Sequence, residues 1–332
     1  PPPPEEQGRR LPWIAALAPM VMGVTMALIW RRPYFLMFAF MSPVIMLANW
    51  FYDRRSGRES HRRKLATYRE RRAGIEADAR EALVTERLAR RAEAPDAAAL
   101  LLTAIGPRSR LWERRRDDPD HLVVRVGTGS LDSEVTLVDP EQPEHRRTVT
   151  WTALDVPVTI PLRERGVAGI AGRGDLPRRL AAWVVAQLAV LQSPRDVQLY
   201  VLTEPAVVEA WAWVRWLPHA RPQAGQDTVA LLGADTETLG RRLAELTAMI
   251  TARTRARQDS SGALLDEPDV VVVLDGARRL RSLPGVVQLL KDGPAVGVHA
   301  LCLDVDRRLL PEECTAVVEQ TVAAKWAGHQ IN

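Results

Sequence analysis

Hydrophobic and polar positions fall into three regimes along the 332-residue chain. The first is apolar throughout. Leu11 to Trp30 is a stretch of twenty residues without a charge. At about 1.5 Å rise per residue a helix of that length spans about 30 Å, the thickness of a bilayer core. Arg31, Arg32 and Pro33 interrupt it, and Tyr34 to Tyr52 is a second uncharged stretch. Trp13, Trp30, Trp50 and Tyr52 lie near the ends of the two stretches, where interfacial aromatics belong. The pattern predicts a two-span transmembrane helical hairpin over 11–52, preceded by a short tail at 1–10. A signal peptide would need a small-residue cleavage site and no second span. A buried core hairpin is rarely apolar on all faces over this length.

The second regime mixes charges of both signs. From Asp53 to Glu93 there is no proline. Leu65, Tyr68, Ile75, Ala79, Ala82 and Leu83 recur mainly at steps of three and four, a narrow apolar stripe on a helix. Such a stripe suits a long helix touching one partner, or a solvated helix touching none. Pro95 breaks it, Asp96 can cap a second helix, and Gly106-Pro107 ends that one. Residues 53–106 therefore read as a helical stalk.

In the third regime, 107–332, buried β-branched runs alternate with amphipathic segments. Leu122–Val126 and Val135–Val138 read as short strands joined by a turn at Gly127–Ser130. Strands are then expected at Val167–Ile170, Val197–Leu202, Val229–Leu232, Val270–Leu274 and Ala300–Leu303. Helices are expected at Leu176–Leu191, Ala206–Leu217, Thr236–Arg255 and Val286–Leu290. This alternation predicts an α/β, Rossmann- or RecA-like domain with a mostly parallel sheet covered on both faces.

Charge refines the picture. The net +4 divides into +2 over residues 1–52, +5 over 53–93 and −3 over the remainder. The α/β region thus lacks the global electrostatic footprint of a nucleic-acid binder. Arginine flanks the outer ends of the hairpin, with Arg9 and Arg10 before it and Arg54, Arg55, Arg58, Arg62 and Arg63 after it. The positive-inside rule then expects both termini in the cytoplasm of a multi-pass inner-membrane protein. The same cluster could bind anionic lipid headgroups or serve only as a topology signal. Two cysteines, Cys302 and Cys314, exclude a disulfide framework and Cys-rich zinc modules.

Two places carry candidate chemistry. The loop Ala171–Asp175 (AGRGD) follows a strand and opens a long helix, the geometry that holds a phosphate. Gly172, Arg173 and Gly174 occupy the Walker A place, but the loop has neither the lysine nor the Ser/Thr of a P-loop. Asp275, after Val270–Leu274, follows the Walker B pattern, and Gly276 stands where a water-polarising glutamate would. Two readings stay open: a nucleotide hydrolase that has lost catalysis, or a plain Rossmann-like topology with a capping aspartate. No metal is expected, since the six histidines have no ligand-like spacing. Trp211, Trp213 and Trp216 cannot all share one helical face, which favours core or interface packing over stacking on nucleic acid.

The two apolar spans, the charged stalk, LWERRRDDPDHLVVRVGTG (Leu111–Gly129), the AGRGD loop, WAWVRWLPHARPQ (Trp211–Gln223) and VVVVLDG (Val270–Gly276) together resemble the N-terminal part of the EccC family. EccC is the membrane-bound FtsK/SpoIIIE-type ATPase of type VII (ESX) secretion. The resemblance implies a degenerate ATPase-like domain over 107–332, followed in the family by three tandem ATPase domains that bind ATP and Mg. It implies coupling of those cytoplasmic motors to a membrane channel, with EccB, EccD and EccE in a hexameric inner-membrane complex. WXG100-class heterodimers would be the cargo. The alternatives are the membrane anchor of an FtsK-type DNA translocase, or a purely structural scaffold.

Overall fold

The structure, a computed structural model, describes residues 36–106, 109–137, 150–259 and 267–320, with Val21 and Thr25. The chain divides into two compact units, Pro1–Val84 and Thr85–Asn332. The expected boundary between residues 106 and 107 falls inside the second.

The first unit contains most of α1 (Leu36–Glu93), a helix of 58 residues. The residues from Leu36 to Tyr52 do not form a separate apolar element. They run without a break into the charged segment after Asp53, with no glycine or proline between Pro43 and Gly57 to end the helix. Among the described residues no helix is long and apolar enough to cross a membrane. The expected two-span hairpin over 11–52 is therefore not supported, and the multi-pass inner-membrane localisation inferred from it is corrected accordingly. The Leu11–Trp30 stretch lies outside the described residues, Val21 and Thr25 excepted. On the stalk stripe Ala79 is buried, Leu65, Tyr68, Ala82 and Leu83 are half-buried, and Ile75 is exposed.

The second unit begins in the last turns of α1. The helix ends before Pro95, and Asp96 caps α2 (Ala97–Ile105) by accepting from the amide of Ala99 at 2.9 Å. An antiparallel pair follows, β1 (Val123–Thr136) and β2 (Thr150–Pro161). The glycines at 127 and 129 do not make a turn. They sit at register shifts within the one long strand, where the pairing with β2 slips.

The remaining elements form a six-stranded sheet. They are β3 (Val167–Gly172), α3 (Leu176–Leu191), β4 (Val197–Leu202), β5 (Leu232–Gly233), α4 (Thr236–Asp259), β6 (Asp269–Asp275), α5 (Val286–Asp292), β7 (Val298–Asp304) and β8 (Ala316–Gln320). The strand order is β5-β4-β6-β7-β3-β8, and every pairing is parallel. Strands buried on both faces need apolar residues at successive positions, which explains the unbroken valines of β6. Val271 and Val273 face a core built with α3, Trp211 and the start of the β1–β2 pair. Val270, Val272 and Leu274 face a second core built with α4 and α5. Segment 206–217, expected as an α-helix, is a 3₁₀ helix from Pro205 to Trp216. The strand expected at Val229–Leu232 shrinks to β5.

Candidate functional site

In a parallel sheet, ligands enter the crevice beyond the carboxyl ends of the strands, where the order reverses. Here β3 and β6 are separated by β7. Their carboxyl ends carry Gly172 and Asp275, the last residues of each strand. A cavity of about 470 Å³ opens there, lined by Gly174, Pro177, Arg178, Glu204, Asp275 and residues of the 276–279 and 303–305 segments. Gly174 and Asp275 thus share one crevice, while Gly172 and Arg173 are not among its lining residues.

The glycine loop is shaped for a tight turn. Gly174 sits at φ +66°, where a side chain would be strained. Gly172 packs under β8, so that a Cβ there would stand 3.1 Å from the Cβ of Gln320. Helix α3 then starts with two features unfavourable to a bound anion. Asp175 occupies the N-cap without capping an amide, and Pro177 removes one N–H from the first turn.

Asp275 is 7% exposed and engaged on both oxygens. The Arg178 Nε donates to Oδ2 at 2.6 Å and Nη2 donates to Oδ1 at 3.2 Å, a bidentate fork. The indole N–H of Trp211 donates to Oδ2 at 2.8 Å, and the Thr203 hydroxyl approaches the same oxygen at 3.4 Å. The hydrogen bond to Asp275 raises the pKa of Arg178 above its usual value. Beside this group Arg279 lies 3.5 Å from Glu204 and donates to the carbonyl of Thr203 at 3.1 Å. The arrangement places a tethered guanidinium against the carboxylate, leaving Oδ2 saturated with donors.

Of the tryptophans, Trp211 is fully buried and stacks on Trp213 with ring centroids 6.2 Å apart, whereas Trp216 is 76% exposed. Neither Trp211 nor Arg178 stood out in sequence as a partner of Asp275. They lie 64 and 97 residues away, and only the tertiary fold joins them.

The Leu111–Gly129 segment forms a second polar assembly, remote in sequence from the crevice residues. Arg114, 3% exposed, donates to the carbonyls of Glu93 and Val123, each at 2.6 Å, and pairs with Asp120 at 2.9 Å. Arg125 donates to the carbonyl of Ala94 at 3.0 Å. Trp112 donates through its indole to Ala189 at 3.1 Å, and the amide of Arg114 bonds Leu191 at 3.0 Å. The segment therefore ties the end of α1 to the end of α3. Trp112 and Leu122 take φ values of +55° and +56°, strain that bulky residues bear only where packing holds them. At the amino ends of β6 and β7, buried His121 meets Asp269 at 2.8 Å. His299 is buried nearby with neither ring nitrogen hydrogen-bonded, and burial pushes its pKa down to about 4.

No protein-family model matches the chain. Among curated proteins it is 30% identical over 252 residues to the ESX-4 secretion system protein EccC4 of Mycobacterium tuberculosis, covering 71% of this chain and 19% of that protein. It is 31% identical over 186 residues to the ESX secretion system protein EccC of Thermomonospora curvata, covering 51% of this chain and 14% of that protein. The chain thus spans under a fifth of either relative's length. Among solved structures it is similar to the cytoplasmic domain of the Thermomonospora curvata type VII secretion ATPase EccC. The TM-score is 0.45 and the identity 20%, over 68% of this chain and 26% of that one. With two curated relatives at 30% identity or above, the chain belongs to the EccC family of type VII (ESX) secretion proteins.

Proposed function

We propose that this chain is the N-terminal portion of an EccC-type secretion ATPase, and that its α/β unit transmits force without hydrolysing nucleotide. The observation that carries this reading is the closure of Asp275 by Arg178 and Trp211. A Walker B carboxylate must be free to hold Mg²⁺ through water, and here a guanidinium takes the cation's place. The Walker A positions Gly172, Arg173 and Gly174 add a turn but no lysine or hydroxyl, and Asp175 brings a carboxylate to the helix start. These residues do not fit Mg-nucleotide. Phosphoryl transfer rests on positioning and electrostatics, and both are missing.

On this reading the unit of residues 85–332 is a rigid coupler. ATPase domains elsewhere in the protein supply movement, and the clamp of Arg114 and Arg125 on the end of α1 passes it on. The partners are EccB-, EccD- and EccE-like subunits, in a hexameric assembly, with WXG100-class heterodimers as cargo. The relatives, which are ESX secretion system proteins, support the secretion setting.

Isothermal titration of the 332-residue chain with Mg-ATP tests the coupler. We expect affinity no tighter than about millimolar, since a helix N-terminus offers only about 0.3–2 kcal/mol. Micromolar affinity abolished by Asp275→Ala would show a working site, and phosphate release lost in the same variant would show a working enzyme.

A further inference from the structure

We propose that Cys302 and Cys314 form a redox-sensitive dithiol, which peroxide converts into an internal disulfide stapling the edge strand β8 to the sheet. The pair is brought together by the sheet register. Gly169 on β3 is the partner of Cys302 on β7, so the two residues stand side by side on the same face. That face is the one packed by α4 and α5, where Cys302 is buried and Cys314 packs against the same cluster. Gly169 has no Cβ, and the space it leaves is filled from the loop before β8. A Cβ at Gly169 would lie 2.6 Å from Cδ1 of Leu310, 3.2 Å from Sγ of Cys314 and 3.5 Å from Cβ of Cys314. The Cys314 sulfur therefore sits over Gly169, the residue paired with Cys302. Cys302 from β7 and Cys314 from the loop before β8 thus meet over the gap that Gly169 leaves in β3, where their side chains interact.

Both cysteines are free thiols, and they differ in the way a reacting pair requires. Cys302 is fully buried and Cys314 half-buried, so an oxidant meets Cys314 first. Interaction between the two thiols pushes the Cys314 pKa down and that of Cys302 up, with burial adding to the rise at Cys302. Burial and the charge of Glu313 oppose that thiolate, and Arg281, bound to Glu312 at 3.1 Å and Glu313 at 2.9 Å, favours it more weakly. A hydroperoxide is the oxidant. The Cys314 thiolate attacks the O–O bond, which breaks to give a sulfenic acid and, after protonation, water. The Cys302 thiol then attacks that sulfur. The S–O bond breaks, the S–S bond forms, and a second water leaves with the Cys302 proton. Two thiols and one hydrogen peroxide thus give one disulfide and two waters.

The consequence lies in β8. Cys314 stands two residues before this strand, which pairs with β3 from Ala168↔Ala316 to Gly172↔Gln320 and so borders the glycine loop. Edge strands open more readily than central ones. A covalent link to β7 across β3 would hold β8 in register.

The test uses the full chain, reduced and then titrated with hydrogen peroxide. We expect both thiols to disappear together, the intact mass to fall by about 2 Da, and the product to be monomeric and reversed by dithiothreitol. Peptide mapping should join Cys302 to Cys314, and amides of 316–320 should exchange about tenfold more slowly in the oxidised form. Cys314→Ala should leave Cys302 unreactive. Gly169→Ala should slow disulfide formation by about tenfold or more by displacing the Cys314 loop. Oxygen added to Cys314 while Cys302 keeps its thiol would overturn the proposal. So would disulfide-linked dimers, or alkylation of Cys302 at the wild-type rate in Cys314→Ala.

Discussion

Asp275 draws on three residues distant in sequence, Arg178, Thr203 and Trp211, and each connection has a measurable worth. Arg178 is a quarter exposed and Asp275 largely buried, so their bond is screened less than a surface pair but is not fully desolvated. A double-mutant cycle with Arg178→Met and Asp275→Leu should give a coupling of about 1–2 kcal/mol in urea unfolding. Asp275→Leu alone should cost about 2–4 kcal/mol, because it strands the guanidinium and the Trp211 N–H together. A free Mg²⁺ ligand would behave oppositely, since its removal relieves repulsion; a neutral or stabilising Asp275→Leu would therefore undo the closed-site account. A second residue-scale prediction concerns acid. His299 is held neutral by burial, opposed by the charge of Asp269 and reinforced by His121, Arg163 and Arg253. Its folded pKa of about 4 lies below the unfolded value of about 6.5. The unfolded state therefore binds the extra proton first as pH falls. The neutral-state stability is fully present above about pH 6.5 and is lost between there and about pH 4. The loss amounts to about 3 kcal/mol for this group. His219, also pushed down by burial, acts in the same direction. Urea midpoints at pH 7.5 and pH 4.5 should differ accordingly in the native chain and differ less in His299→Leu; an unchanged slope in that variant would place the acid sensitivity elsewhere.

At the scale of elements, legibility followed burial. β6 was readable as Val270–Leu274 because a strand buried on both faces must be apolar at every position, and α3 because one stripe must be. β2 and β8 went unread. β8 is an edge strand of five residues with alternating half-exposure, and β2 carries Pro157 and Pro161 and mixes polar with apolar residues. The glycines of β1 looked like a turn because sequence does not distinguish a turn from a bulge. In the crevice, Asp275 was legible as a strand-end position and Gly174 as part of the loop after β3, but Arg178 and Trp211 were not, since their partner is set by packing. The same holds for Arg114, one of a run of three arginines from Arg114 to Arg116 and the only one of them buried. Its role supports an element-scale prediction. Arg114→Met leaves the carbonyls of Glu93 and Val123 unpaired and should cost about 3–5 kcal/mol. Arg114→Lys keeps the charge without the fork and should cost about half as much. Limited proteolysis of the Ala94–Asp96 connection should quicken in the order wild type, Lys, Met. Equal rates would mean that α1 is not held there.

For the molecule as a whole, the two units differ in what protects their backbone. In the second, β3, β4 and β6 are buried at every position, so their amides open only when the whole sheet does. In the first, most described residues of α1 between 62 and 84 are exposed, with Ala79 alone among them buried. A helix with so thin a stripe draws little stability from packing, and exposed salt bridges such as Arg72–Glu76, at 2.8 Å, add little more. Hydrogen exchange on the isolated chain should therefore find amides 62–84 exchanging at least about a hundredfold faster than those of β6. Removing residues 1–84 should move the main thermal transition by no more than about 2 °C, because the unit that carries the sheet, Thr85–Asn332, is compact by itself. Protection of 62–84 equal to that of β6 would mean that something covers the stripe in the isolated chain. The stalk helix would then be part of the folded core, and not an arm whose order waits on a partner.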